Sequence, residues 1–287
     1  MRVTFYGVRG SIATPGLSTV RYGGNTVCVD VRLNDGTVLV LDAGTGIREL
    51  GRALLRDGIR DPIHALITHA HWDHIIGLPF FGPIWRKDVE LILYPLATAA
   101  QERLRHNSVL FEEIHFPVRA ADIPAKIEVI EPRDERWRVG SALISRVQLN
   151  HPGGAQGFRI DDGDGSSMAY LTDNELNPPG PTTTSTAALA DFARGVGLLI
   201  HDAQYIESDM PAKRGWGHSL VSEVLELGRS AEAETVALFH HEPERDDEAL
   251  DRIGVTASDW LKDKQSSTHV VVAREGLTLR VAPRSGR

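Results

Sequence analysis

The stretch "THAHWDHIIG", Thr68–Gly77, narrows the choice of fold more than any other part of the chain. His69, His71, Asp73 and His74 fall within six positions, directly after an apolar strand-like run. Neutral imidazole and carboxylate are the usual ligands of first-row metal ions. A reactive site needs them to converge from several chain positions, with room left for water. While the backbone is extended, His69 and His71 share a face. Asp73 and His74 then turn toward a second point as a helix begins, so one short turn can feed two metal ions. The fold therefore has to bring other strand ends to this one.

Candidates for the remaining ligands stand where apolar runs stop. His151 follows "ALISRVQLN", Asp173 follows "SMAYLT", and His240 and His241 follow "TVALF". Adjacent residues of a strand face opposite ways, so only one of His240 and His241 aims at a metal. The other lines the pocket or packs.

Short β-branched runs alternate with helical stretches along the whole chain. "MRVTFYG", "TVCVDVRL" and "GTVLVLDAG" read as strands, the last two joined by the hairpin signal "NDG". "GIRELGRALLRDG" reads as a helix, with Ile47, Leu50, Leu54 and Leu55 on one face and Gly58 to end it. Further strands are expected in "HALITH", "VELILYP", "EVIEP", "SALISRVQLN", "GFRIDDG", "SSMAYLTD", "GLLIHDA", "TVALFHH", "HVVVAREG" and "LTLRVAP". Helices are expected around "ATAAQERLRHN" and in "STAALADFARG", "SLVSEVLELGRS" and "DEALDRIGVTASDWLKDK". Two comparable halves of this kind suit two packed sheets covered by helices. No composition break divides the 287 residues, so one domain spanning 1–287 is expected.

The chain resembles the metallo-β-lactamase superfamily, from "LDAGTG" to "LFHHEPERDDEAL", through the His-x-His-x-Asp-His motif and the order of the downstream ligands. The resemblance implies an α/β fold, a four-layer αβ/βα sandwich with a binuclear site along one edge. It implies that His69, His71 and His151 hold the first metal. Asp73, His74 and His240 would hold the second, with Asp173 bridging; His240 is preferred to His241 by comparison with the family's strand-Thr-His ending. Asp42 in "LDAGTG" matches an aspartate that supports the site without binding metal. Two divalent ions are expected, zinc first, with manganese and iron as the alternatives.

Subfamily differences narrow the chemistry. Di-zinc β-lactamases place a cysteine in the second site, but Cys28, the only cysteine, lies elsewhere and reads as a buried strand residue. Flavodiiron proteins carry a glutamate where this chain has His71. Glyoxalase-type thioesterases usually append a helical carboxyl-terminal domain, for which little chain remains. The branch containing RNase Z and the cyclic-nucleotide phosphodiesterases fits better. "LLIHDAQY" resembles its Leu-Leu-Ile-His-Glu-Ala-Thr stretch, with Asp202 for the glutamate, and "GWGHSL" resembles its Gly-His-Ser-Thr motif. That likeness gives His218 the role of protonating the leaving oxygen or contacting the phosphoryl group, with Asp202 orienting it. A helix start and a carboxylate would pull the His218 pKa in opposite directions and hold it near neutrality. Asp73 would both bind metal and orient a hydroxide bridging the two ions.

The RNase Z arm that grips tRNA is inserted between the third histidine and the bridging aspartate. Here His151 and Asp173 are only 22 positions apart. Together with 39 Asp plus Glu against 31 Lys plus Arg, a net charge of -8, that spacing leads to the expectation of a small phosphodiester substrate, cyclic nucleotides included, and no large nucleic-acid partner. The alternatives are a lactone, ester or thioester hydrolase on the same metals, an RNase Z-like ribonuclease, and a non-catalytic metal-binding protein. The amino terminus lacks an apolar targeting core and no segment reaches membrane-span length, so a cytoplasmic protein without a membrane partner is expected; family likeness adds a homodimer.

Several residues carry two readings. Arg9, Arg21 and Asn25 in Gly-rich loops are either phosphate contacts or solvated surface groups. Trp72 is expected to pack beneath the metals rather than stack on a base. "NPPGPTTTSTAA", Asn177–Ala188, is a surface connection or a flap. His201 reads as a packed strand-end residue, and His64, His106, His115 and His269 as structural or surface residues.

Overall fold

The computed structural model describes residues 1–59, 61–94, 110–111, 113 and 116–283. The helix expected around 97–107, with His106 and His115, lies outside the described residues.

Among the described residues, two seven-stranded sheets are built on one plan. In the first half, β1 (Arg2–Gly7), β2 (Cys28–Arg32) and β3 (Val38–Leu41) run antiparallel; β4 (Ile63–Leu66), β5 (Glu90–Tyr94) and β6 (Lys126–Val129) then add in parallel. In the second half, β7 (Arg136–Val139), β8 (Ala142–Leu149), β9 (Ala155–Asp161) and β10 (Ser167–Leu171) are antiparallel. The strands β11 (Leu198–Asp202), β12 (Thr235–Phe239) and β13 (His269–Val272) follow in parallel. β14 (Thr278–Arg280) returns to pair with β1 and joins the end of the chain to its beginning.

Period-two alternation sorts each strand between two cores. Leu39 and Leu41 of β3 face the second sheet, where they share a core with Val3, Phe5, Phe158, Tyr170, Ile200 and Phe239. Val38 and Val40 face the other way, onto Ile47, Leu50 and Leu54 of helix α1 (Ile47–Asp57). A strand buried on both faces needs an uninterrupted apolar run, which "VLVL" supplies. On the far side, Leu199, Val236 and Leu238 meet Leu189, Val224, Leu225 and Leu261. Those residues come from helices α3 (Thr186–Phe192), α4 (Val221–Ser230) and α5 (Asp247–Asp263). The result is the expected four-layer sandwich of helix, sheet, sheet and helix.

Local signals end the elements as expected in several places. The "NDG" turn joins β2 to β3 as an antiparallel pair, and Gly58 closes α1 in a left-handed conformation, its N–H reaching Leu54 and Leu55 carbonyls. The strand β7, "RWRV", was not anticipated, although charged and apolar residues alternate in it; its arginines are exposed, as suits a charged sheet edge.

Candidate metal centre

The side chains of interest come from the carboxyl ends of β3, β4, β8, β10, β11 and β12, which the two facing sheets bring to one edge. Beyond β4 the chain stays extended through His71 and then turns into the short helix α2, Trp72–Ile75, which carries Asp73 and His74 inward. The turn is possible because backbone meets backbone beneath it: Ala43 N donates to the His74 carbonyl and Gly77 N to the Ala43 carbonyl. A Cβ on Gly77 would lie 2.0 Å from the Gly44 carbonyl oxygen, so only glycine fits.

Two groups of side chains, each able to hold a metal ion, result: His69, His71, His151 and Asp173, and Asp73, His74, Asp173 and His240. Asp173 belongs to both. Its Oδ2 lies 3.7 Å from Nε2 of His69 and of His151. Its Oδ1 lies 3.1 Å from Nε2 of His74 and of His240. Asp73 Oδ2 is 3.2 Å from His240 Nε2 and accepts a hydrogen bond from Ser11 N at 2.7 Å. The structure thus brings together the seven residues that the family resemblance implies as ligands.

Three side chains reach the cluster from strained backbone. Asp42, Asp173 and His240 have φ of 59°, 59° and 57°, in the left-handed region that non-glycine residues seldom adopt. Each lies one or two residues past the end of a strand, so the turn swings its side chain back over the sheet edge. The extended backbone on which the choice between His240 and His241 was based therefore ends at His240. His241 is buried elsewhere, with Nε2 donating to the Ala273 carbonyl at 2.7 Å and Tyr22 at its ring edge. Burial pushes its pKa down to about 3, so it is a neutral packed residue.

The ring nitrogens turned away from the cluster have partners. Nδ1 of His74 donates to Asp42 Oδ2 at 2.9 Å, Nδ1 of His151 to the Gly217 carbonyl at 2.9 Å, and Nδ1 of His240 to Gln204 Oε1 at 2.9 Å. His69 Nδ1 lies 3.1 Å from Thr68 Oγ1, which bonds Asp42. With Nδ1 protonated, each Nε2 carries a lone pair into the cluster, the arrangement that metal ligation requires. His71 is the exception: its Nδ1 faces His151 Nε2 at 3.1 Å.

Buried Nε2 atoms of His69 and His74 have no partner in hydrogen-bonding geometry, although His74 lies close to Asp173. A buried polar atom without a partner costs about 1–3 kcal/mol, and a cation between these groups removes that cost. The donor set of imidazoles and carboxylates fits divalent metal ions. Burial alone would raise the carboxyl groups, but the surrounding histidines hold Asp73 and Asp173 well below the usual range. Burial opposes a proton on His74, yet Asp173, Asp73 and Asp42 raise it well above its ordinary value. The carboxylates favour positive charge beside His74, whereas burial lowers the pKa of His69, His71 and His151 and keeps them in the neutral form that metal ligation requires.

His218 stands over this cluster, stacked on His240 with ring centroids 4.9 Å apart and edge-on to His151 at 5.3 Å. Its Nδ1 is 3.2 Å from Asp202 Oδ2. Burial works against its charge, but Asp202 prevails and its pKa is pushed up to about 9, above the near-neutral value expected from the opposed pulls of a helix start and a carboxylate. The physical reason is position: α4 begins three residues later, so its dipole acts at a distance while the carboxylate is in contact.

Other expectations change. Trp72 does not pack beneath the cluster; it is 53% exposed at the first residue of α2, whereas Asp73 and His74 are buried. Arg9 is neither solvated nor a phosphate contact: it is fully buried, its guanidinium donating to the carbonyls of Gly23, Glu242 and Arg245. Arg21 pairs with Asp251, and Asn25 with Glu275 and Thr45. The 177–188 segment is tied down where Asn150 Oδ1 accepts from Thr183 N and Thr184 N. His201 is packed as expected, between the Asp202 carbonyl and Asn174. Sequence reasoning missed Thr68, Asn150, Tyr170, Gln204 and Glu242, polar residues within three positions of predicted site residues; their burial was the missing signal.

A family model described as "Beta-lactamase superfamily domain" matches residues 37–241. The chain belongs to the beta-lactamase superfamily. Among its relatives, "Ribonuclease Z" of Haloarcula marismortui is 24% identical, with 98% of this chain and 97% of that protein aligned. Human tRNase Z, short form, superposes with a TM-score of 0.65 at 17% identity, covering 98% and 99% of the two chains. A diphosphatase from the PhnP family superposes at 0.67 with 22% identity, covering 98% of each. The superfamily's fold implies divalent metals, and the neighbours of this chain within that fold include proteins named ribonuclease Z and a diphosphatase.

These relatives correct one expectation. A chain expected to have no large nucleic-acid partner aligns over almost its whole length with proteins named Ribonuclease Z. The net charge of -8 is a sum over the molecule and does not describe the field over one face. The 22-residue spacing is filled by the β9–β10 hairpin, which tests a single insertion point and no other RNA-binding surface. As to membranes, no helix among the described residues is long and apolar enough to cross one.

Proposed function

We propose that this chain is a metal-dependent phosphodiesterase holding two divalent ions, zinc by preference. His69, His71 and His151 would hold one ion, Asp73, His74 and His240 the other, with Asp173 between them. Such ions supply an activated water at neutral pH and stabilise both the attacking and the departing oxygen of a phosphodiester. The chain's own residues do the rest. Asp73, fixed by Ser11 N, orients the attacking water. His218, charged through its contact with Asp202, donates its proton to the leaving oxygen.

The observation that carries this reading is the placement of His218, stacked on one candidate ligand, edge-on to another, and backed by a buried carboxylate. Hydrolysis of a phosphodiester expels an alkoxide, a poor leaving group that needs such a proton. His71 and Trp72 are exposed at the open edge of the cluster, where small and cyclic-nucleotide phosphodiesters have access and where an RNA end presents the same linkage.

The test pairs metal analysis with a substrate panel: a bis-aryl phosphodiester, 3′,5′- and 2′,3′-cyclic nucleotides, a precursor transfer RNA, an acyl-homoserine lactone and a thioester. Two ions per chain and cleavage of phosphodiesters are expected, with Asp73→Ala as the inactive control. Turnover confined to the lactone or thioester would sink the phosphodiesterase reading and leave the metal assignment standing.

A further inference from the structure

The histidines of the cluster differ in what fixes their tautomers. Asp42 is a carboxylate and can only accept, so His74 must donate from Nδ1. The Gly217 carbonyl imposes the same on His151. His240 faces the side-chain amide of Gln204, which presents an acceptor or a donor depending on which way it is turned. Turned one way, the amide takes a proton from Nδ1 and leaves Nε2 bare toward Asp73 and Asp173. Turned the other way, it donates to Nδ1 and forces the proton onto Nε2, where no metal can bind.

Glu242 decides between them. Its Oε2 lies 2.7 Å from the Gln204 amide nitrogen, and a carboxylate can face only a donor. Gln204 and Glu242 are 3% and 7% exposed, so water does not substitute for either contact. The other Glu242 oxygen is engaged by Lys213, which comes from the segment between β11 and α4 and also lies over the Tyr205 and Trp216 rings. That segment ends at Gly217, whose carbonyl holds His151 and whose N–H, with that of Gly215, is clasped by the Glu175 carboxylate. One stretch of chain thus reaches a histidine of each group.

We propose that Glu242 and Gln204 are positioning residues that fix the metal-binding tautomer of His240, and that Lys213 anchors them, so that the Ile206–Gly217 segment sets the affinity of the second ion. The proposal rests on the reading of Asp73, His74, Asp173 and His240 as ligands. Neither Gln204 nor Glu242 touches the reacting atoms.

Zinc titration of the purified full chain against a chromophoric chelator tests it. Wild type binding fewer than two ions would refute the two-ion reading itself, separately from this inference. With two ions in wild type, Glu242→Leu should weaken one of them about 10–100-fold and leave the other unchanged. The isosteric double variant Gln204→Glu with Glu242→Gln reverses the polarity of the pair but still presents an acceptor to His240, so it should bind both ions as wild type does. Lys213→Met, at a partly buried position, should weaken the same ion to a smaller extent. Wild-type affinity in Glu242→Leu, a double variant as weak as Glu242→Leu, or no change in Lys213→Met would overturn the proposal. Should Glu242→Leu fail to fold, the double variant and Lys213→Met still decide it.

Discussion

Asp42 receives hydrogen bonds from Thr68 N at 2.7 Å, Thr68 Oγ1 at 3.0 Å, His74 Nδ1 at 2.9 Å and Tyr170 OH at 2.9 Å, all of them buried. Removing the carboxylate leaves these donors without an acceptor in a dry interior. Asp42→Ala should therefore lose about 3 kcal/mol or more of stability, measured by chemical denaturation, with Asp42→Asn losing less. An unchanged denaturation midpoint would show that the donors find other acceptors. His218 calls for a kinetic test. His218→Ala should keep the metal content and KM of wild type while kcat falls about 10²–10⁴-fold on substrates with alkoxide leaving groups. On an aryl phosphodiester, whose leaving group needs no proton, the loss should be small; equal losses on both would argue against proton donation.

At the scale of the element, the turn from β4 into α2 depends on the close passage of Gly77 over Gly44. Gly77→Ala should destabilise the protein and weaken metal uptake together, because the added Cβ displaces the turn that carries Asp73 and His74. Loss of stability with intact zinc stoichiometry and affinity would separate the turn from the site. By contrast α5 lies outside the cluster. Its N-cap Asp246 accepts from Ala249 N at 2.7 Å, so Asp246→Ala should cost about 1 kcal/mol in denaturation and nothing in metal affinity. Elements with an internal signal were legible in the sequence: α1 by its apolar face and Gly58, β3 by "VLVL", the β2–β3 hairpin by "NDG". β7 was not, because its alternation of charged and apolar residues runs over only four positions with one buried residue, Val139.

For the whole molecule, both groups of ligands join the two sheets: β4 belongs to one, β8, β10 and β12 to the other. A cation that binds only the folded chain stabilises it by mass action, about 2.7 kcal/mol when free metal is 100 times Kd. The thermal midpoint should accordingly rise with zinc and fall on chelation, in Asp73→Ala less than in wild type; a midpoint indifferent to zinc would deny that ions bridge the halves. The relatives named Ribonuclease Z show where whole-chain sums mislead: net charge and loop spacing were silent on RNA. Sequence alone determined most of the strands, the ligand candidates and the family, because strand ends, histidine spacing and apolar period are local properties of the chain. Only the tertiary structure decided that His240 rather than His241 faces the cluster, that Arg9 is a buried brace, and that Gln204 and Glu242 stand behind His240. Those outcomes depend on left-handed turns and on partners more than 30 positions away, which no local pattern encodes.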